Sequence, residues 1–338
     1  MPIVKSQFKP PWQWRNAQLQ TIWPFRFRNP VIPQRTSLLI PTDDGDEILL
    51  EYCDGARAST SSLGILLLHG LAGSANSQYI VGLQNIFNDA NIFSVAMNFR
   101  GAKAPNKMAR GYHSGASGDL KQVIEFLTQQ YPHIRWITIG FSLGGNVVLK
   151  YLGENQGNPL EGAFAVSVPL RLDICADRLD KGFSKIYRRH FLGQLRDEQL
   201  RKHQFLLKYD PEQATILQTT GFDKRYRSFR DYDEAIIAPL NGFASAEDYY
   251  QKCSSRYFLR NIDTPTYILQ SLDDPFTSEA VIPDASELAP SVTMELTNFG
   301  GHVGFYEGNG QYYSEKRIID WINSAADTRI FGEKDSLL

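Results

Sequence analysis

Ser142 lies in Gly140-Phe141-Ser142-Leu143-Gly144, a G-x-S-x-G pattern in which a hydroxyl can be raised to a nucleophile. A serine hydroxyl is a poor nucleophile at neutral pH. It needs a base within hydrogen-bond reach and an acid behind that base to orient it. The chain supplies both downstream, in the order Ser142, Asp274, His302. His302 is the candidate general base, taking the Ser142 proton and later returning it to the leaving group. Asp274 would orient the imidazole and stabilise its charged form. Asp273 is the rival, because neighbouring side chains in a turn can exchange roles; Asp274 is preferred because the residue directly before Pro275 closes the strand-end turn, where the matching pattern puts its acid. The negative charge that develops on an attacked carbonyl oxygen would fall to the backbone N–H groups of Leu71 and Leu143. The chemistry implied is acyl transfer through an acyl-serine.

The elements around these residues agree with that placement. Residues 136–139 form a short β-branched and aromatic run that predicts a buried strand, and Gly140 ends it. From Gly144 an apolar-periodic segment (Val147, Val148, Tyr151, Leu152) predicts a helix, so Ser142 falls on a sharp strand-to-helix turn. Positions two before and two after the serine must be small, because the two backbone arms nearly touch there. Residues 64–68 are apolar throughout and run into His69-Gly70-Leu71, as in a strand covered on both faces of a mostly parallel sheet. Residues 92–99 and 163–168 predict further strands. A helix carrying Leu120, Val123, Ile124 and Leu127 precedes Pro132. The alternation from 64 to 170 predicts an α/β fold with a doubly wound, mostly parallel sheet. The sheet resumes at 266–270, just before Asp273-Asp274, and ends at 292–296, before Gly300-Gly301-His302-Val303-Gly304. Those glycines suit a loop that approaches the serine closely. Each triad candidate therefore follows a strand, at the edge where open α/β sheets bind ligands. A closing helix carries Ile318, Ile319, Trp321 and Ile322.

The remaining segments frame this core. Residues 1–35, rich in proline and aromatics, suggest an extended arm anchored on the body by its tryptophans. Residues 36–40 and 47–52 form a hairpin around Thr42-Asp43-Asp44-Gly45-Asp46. Residues 171–259 break the alternation and predict an inserted set of helices, where either a lid or a solvated subdomain would sit. Its basic group, Lys224, Arg225, Arg227 and Arg230, would favour anionic head groups or simply form a solvated face. The expected organisation is an arm (1–35), a core (36–170 and 260–326), the helical insertion (171–259) and a polar tail (327–338) that frays. His69 is expected to be structural. Arg100 and Tyr112-His113-Ser114 would either shape the pocket or anchor it. His133, His190 and His203 have no partner at metal-ligand spacing, and no metal or cofactor is expected.

Whole-chain properties set limits. A net charge of −2 argues against nucleic acid as the main partner. Three scattered cysteines suit a reducing compartment. No signal peptide is apparent, and the longest apolar run is too short to span a bilayer. A cytoplasmic protein with a small-molecule ester partner is expected, with peripheral membrane contact left open.

Taken together, Asn16-Ala17-Gln18-Leu19-Gln20-Thr21, His69-Gly70-Leu71-Ala72-Gly73-Ser74, Asn98-Phe99-Arg100-Gly101, Tyr112-His113-Ser114-Gly115, the serine motif through Asn146, Gly242-Phe243 with Asp248-Tyr249-Tyr250, Asp273-Asp274-Pro275-Phe276 and Gly300 to Phe305 resemble one family nearly end to end. That family is the α/β-hydrolase superfamily, and within it the YheT-like branch (AB-hydrolase family four). The resemblance implies an α/β-hydrolase fold, with nucleophile, acid and histidine at Ser142, Asp274 and His302. It implies hydrolysis of carboxylic esters, of lipid or short-acyl type, or acyl transfer to an alcohol by the same triad. A non-catalytic binding protein on the same fold would be expected to lack a triad member; this chain has all three. Some relatives carry a membrane anchor ahead of the hydrolase domain; none is expected here, and membrane residence is therefore not expected from the resemblance.

Overall fold

The computed structural model describes residues 2–53 and 61–327; of the polar tail expected to fray (327–338), residue 327 ends the last helix and 328–338 lie outside the described residues. In chain order come β1 (Ile3–Lys5), α1 (Ala17–Phe27), β2 (Arg35–Pro41), β3 (Glu47–Cys53), β4 (Leu63–Leu68), α2 (Gln78–Asp89), β5 (Phe93–Asn98) and α3 (Ser117–Gln130). Then follow β6 (Arg135–Phe141), α4 (Leu143–Glu154) and β7 (Leu160–Val166). The chain next becomes helical: α5 (Leu172–Leu179), α6 (Ser184–Tyr209), α7 (Pro211–Thr219), and α8 (Phe229–Tyr232) running through a π turn (Asp233–Ile237) into α9 (Ala238–Leu240), then α10 (Ala246–Cys253). It closes with β8 (Thr266–Ser271), β9 (Val292–Thr297), the small hairpin β10 (Tyr306–Gly308) and β11 (Gln311–Tyr312), and α11 (Tyr313–Asp327).

Nine strands form one sheet in the order β1-β9-β8-β7-β6-β4-β5-β3-β2, parallel except that β3 runs against both β2 and β5. The alternation of strand and helix thus yields the doubly wound sheet it predicts. Strand β4 is apolar at every position because alternate side chains enter different cores. Ile65 and Leu67 pack with Ile80, Leu83 and Phe87 of α2 and Ile318 of α11, on one face. Leu66 and Leu68 pack with α3 (Leu120, Val123, Ile124) and α4 (Val147, Val148) on the other. A third core, around Leu206, Leu217, Phe222 and Ile236, belongs to the helices between β7 and β8.

Register then assembles the loops. Leu68 lies opposite Gly140, so the turn after β4 sits beside the turn after β6. Ser271 lies opposite Thr297, which sets the loops after β8 and β9 side by side.

The first 35 residues differ from the extended arm that composition suggests. β1 adds a parallel strand to the sheet edge, and residues 17–27 are helical, with the Asn16 side chain accepting from Gln18 N–H and Leu19 N–H. Two tryptophans do anchor the segment: Trp14 meets Tyr306 edge-on at 4.6 Å and Trp23 at 5.0 Å. Trp12 is 81% exposed and anchors nothing. Among the described residues, no helix is long and apolar enough to cross a membrane.

Candidate active site

The turn carrying Ser142 is a product of backbone crowding. A Cβ at Gly140 would lie 2.5 Å from the Gly144 carbonyl oxygen, and one at Gly144 would lie 2.6 Å from that of His69. Only glycine fits either place. The serine has φ +53° and ψ −120°, a region costing roughly 1–3 kcal/mol for a non-glycine residue. Its N–H donates to Val166 at 2.8 Å, and its carbonyl accepts from Asn146 N–H at 3.1 Å.

The three side chains expected to act together do meet. Ser142 Oγ is 2.9 Å from His302 Nε2, and His302 Nδ1 is 2.8 Å from Asp274 Oδ2. The Asp274 side chain is wholly buried, and its other oxygen accepts from Phe276 N–H at 2.8 Å. The Phe276 ring stacks on the imidazole at 4.0 Å. Asp273 turns elsewhere: its Oδ1 accepts from Gly301 N–H at 2.9 Å and from the Ser271 hydroxyl. It therefore holds the histidine loop through the backbone, while its neighbour touches the ring.

Leu71 and Leu143 flank the serine, and among the described residues neither N–H has a hydrogen-bond partner. Two tyrosines that sequence reasoning left without this role pin the first of these turns. Gly70 N–H donates to Tyr79 Oη and Ala72 N–H to Tyr112 Oη, each at 2.9 Å, so the Leu71 amide lies between two tethered neighbours. Tyr79 also packs on Phe141, directly before the serine.

The glycines around His302 have another purpose than close approach to the serine. A Cβ at Gly301 would lie 2.6 Å from Ala17 O, and one at Gly304 would lie 2.1 Å from Gln20 O. They make room for α1. In return, Thr21 Oγ1 accepts from His302 N–H at 2.9 Å, and buried Gln20 bonds Tyr306 N–H and O at 2.7 and 3.0 Å. The amino-terminal helix is a brace for the histidine. Its one local signal was the capping residue Asn16.

Other singled-out residues are structural by their contacts. His69 is fully buried, accepts from Phe99 N–H at 3.2 Å and lies 2.7 Å from Gly70 O; burial lowers its pKa to about 4, so it stays neutral. Arg100 clamps Asp119 and Asp44, tying the β2–β3 hairpin to α3. His113 packs between Phe243 and Tyr249, and burial lowers it to about 3. His190 and His203 pack against Phe25 and Phe222. Asn146, inside the serine motif, donates to Ser114 O and Cys253 O and accepts from Ser255 N–H, tying α4 to the end of the helical stretch.

Above Ser142 lies a cavity of about 680 Å³. The helices between β7 and β8 supply much of its wall, with Leu172, Leu179, Tyr187, Phe191, Ile236 and Leu240 among the apolar side chains and Glu198, Gln199 and Lys202 among the polar ones. Burial pushes Glu198 up to about 7 and pulls Lys202 down to about 8. The Tyr232 hydroxyl is buried there beside the Gln199 side chain, and among the described residues Gln199 Oε1 has no hydrogen-bond partner. Within the basic group, Arg230 pairs with Asp177 at 2.6 Å and Glu247 at 3.2 Å, away from this cavity.

Known proteins resemble the chain along most of its length. A model of the alpha/beta hydrolase fold family matches residues 65–309. The protein named "Putative esterase YheT" from Escherichia coli (strain K12) is 35% identical over 332 residues, 96% of this chain and 95% of that protein. Phospholipase ABHD3 from Homo sapiens is 27% identical over 316 residues, 91% of this chain and 75% of that protein. Among solved structures, the Pyrococcus furiosus esterase Pf2001 matches with a TM-score of 0.55 at 15% identity, over 94% of this chain and 99% of that chain, a likeness of fold.

Proposed function

The chain belongs to the alpha/beta hydrolase fold family, in its YheT-like branch, and from that premise we propose that it is a serine esterase cleaving carboxylic esters through an acyl-Ser142 intermediate. Ser142 Oγ attacks the ester carbonyl carbon as His302 Nε2 takes its proton. Asp274 fixes the ring by accepting from Nδ1–H and stabilises the imidazolium. The oxyanion receives hydrogen bonds from Leu71 and Leu143 N–H, one of them at the start of α4, where helix N–H groups are free. Collapse breaks the bond to the alcohol, which leaves with the proton from His302. A water, deprotonated by the same ring, then attacks the acyl-enzyme and frees the acid. Residues 171–259 act as the cover, and their apolar wall suits lipid or short acyl chains. The core comprises 36–170 and 260–326, with 1–35 bracing the histidine.

The observation that carries the reading is the unbroken Asp274–His302–Ser142 relay, at 2.8 and 2.9 Å, ending on a strained serine at the floor of a mostly apolar cavity. The names of the relatives, an esterase and a phospholipase, point to the same bond type. A fluorophosphonate probe should label the protein, and Ser142→Ala should abolish both labelling and ester hydrolysis. Equal labelling of that variant would sink the proposal.

A further inference from the structure

The rim of the Ser142 cavity exposes apolar side chains to water. On α1 the outer face carries Leu19 (46% exposed), Ile22 (39%) and Phe25 (61%), while Gln20 and Pro24 face inward. Across the mouth, at the start of α6, stand Phe183 (47%) and Ile186 (54%). The two segments touch: the Tyr187 hydroxyl donates to Gln18, and the Phe25 ring lies 5.7 Å from His190. Ile22, Phe25 and Ile186 line the cavity as well as facing solvent, so the patch continues into it. A lone exposed leucine needs no explanation, but an apolar rim continuous with a cavity does.

The second observation is charge. Lys185, Arg189 and Arg196 lie within about 100° of Ile186 around α6. Arg189 and Arg196 join Arg225 and Arg227 along a groove of about 590 Å³, where Asp197 is the acid among the lining residues. Among the described residues, none of these four arginines forms an ion pair, whereas Arg188 and Arg230 do. Clustered guanidinium groups that outnumber the one carboxylate in the groove repel one another, and their planar forks match phosphate oxygens.

We infer that this face docks on an anionic phospholipid surface, with α1 and the start of α6 set among the acyl chains and the arginine groove on the head groups. The apolar rim gives contact area, and the basic groove adds attraction that salt screens. A lipid held there would have an apolar path to Ser142. The docking stands on these surface residues alone; the delivery of an ester to Ser142 rests on the esterase reading.

The test uses the full chain with Ser142→Ala, so that binding is read without turnover. It is sedimented with vesicles of phosphatidylcholine, alone or with roughly one-third phosphatidylglycerol. The anionic vesicles should bind at least about tenfold more tightly, with the difference shrinking at high salt. Leu19→Glu with Phe183→Glu, and separately Arg225→Glu with Arg227→Glu, should each weaken that binding about tenfold or more while leaving the melting temperature within a few degrees. None of these four residues lines the cavity. With Ser142 restored, both variants should hydrolyse a soluble short-chain ester at the parent rate and a vesicle-held ester more slowly. Equal binding to neutral and anionic vesicles, or parental binding by the arginine variant, overturns the docking. Failure of the unsubstituted protein to cleave the soluble ester would instead overturn the esterase reading and leave the vesicle result standing.

Discussion

Between β6 and α4 the space around each residue dictates its identity, whereas along the helices over the cavity few positions are so confined. Gly140 and Gly144 each face a carbonyl within 2.6 Å of where a Cβ would lie, but Gly193, in the middle of α6, has nothing within 4 Å. In the turn, the Ser142 N–H, carbonyl and hydroxyl all have partners; in the cover, among the described residues, Gln199 Oε1 is buried without one. On the esterase reading, bond-breaking geometry is fixed by steric necessity, and the choice of substrate is left to a surface that can change at little cost to the fold. The same substitution in the two regions should separate them most sharply. Gly144→Ala should abolish activity and leave little soluble, cooperatively melting protein, because backbone on both sides must move. Gly193→Ala should instead raise stability by about 0.5–1 kcal/mol, through the better helix propensity of alanine. Thermal melts of the two proteins decide the matter, and a tolerated Gly144→Ala would erase the contrast.

The two acids after β8 repeat the contrast within a single turn. Asp274→Asn leaves the shape intact but removes the acceptor that fixes the His302 tautomer, and should lower kcat by about 10³–10⁴-fold. Asp273→Asn loses only part of the anchoring of Gly301 and should lower kcat less than about tenfold, with a reduced melting temperature as its main effect. Steady-state kinetics on one soluble ester compare them directly. Equal losses of kcat would mean that the histidine loop, rather than the ring contact, governs the reaction.

The oxyanion turn should show an intermediate effect. Tyr79→Phe and Tyr112→Phe each keep the ring and remove the hydroxyl that holds one neighbour of the Leu71 amide. Each should lower kcat by about 10- to 100-fold while changing KM little, as when one donor to the oxyanion is loosened rather than removed. A change confined to KM would show that the tyrosines shape only the cavity.

How far the sequence disclosed these parts follows the same division. The G-x-S-x-G spacing encodes a local collision, and the order of Ser142, Asp274 and His302 past three strands carries their meeting, so both were legible. The sequence left Asp273 and Asp274 as rivals because both oxygen sets lie at one strand end; only the rotation of the turn distinguishes them. The brace of α1 on His302 was hidden. Thr21 and His302 are 281 positions apart, and nothing in one segment marks the other. Proline and exposed aromatics also masked the helix, whose outer face is apolar and so lacks the usual contrast between sides. Pro24 removes the N–H that would have paired with Gln20 O, and Gly304 packs closely against that oxygen. The Tyr79 and Tyr112 contacts are likewise side chain to distant backbone, which periodicity does not report.

Glu198 offers the finest probe of the contrast. In the core, Asp119 is clamped by Arg100; in the cover, Glu198 faces the cavity with no hydrogen-bond partner among the described residues. Burial raises its pKa from 4.5 to about 7. Between those values the folded protein keeps a proton that the unfolded chain has released, so the folded state binds more protons and stability falls as pH rises through the window. Below it both states are protonated, and above it the penalty is complete. Asp233, also pushed to about 7 by burial, titrates over the same range, so the useful quantity is the difference between two proteins that both retain it. Glu198→Gln has no charge to bury. Its stability relative to the parent should be nearly level at pH 5 and higher by about 1–2 kcal/mol at pH 8, allowing for partial contact with water. In a chain of this size that is a gain of a few degrees in melting temperature. A difference that does not change with pH would mean that the carboxylate has found a partner after all, and that the cover holds this acid as firmly as the core holds Asp119.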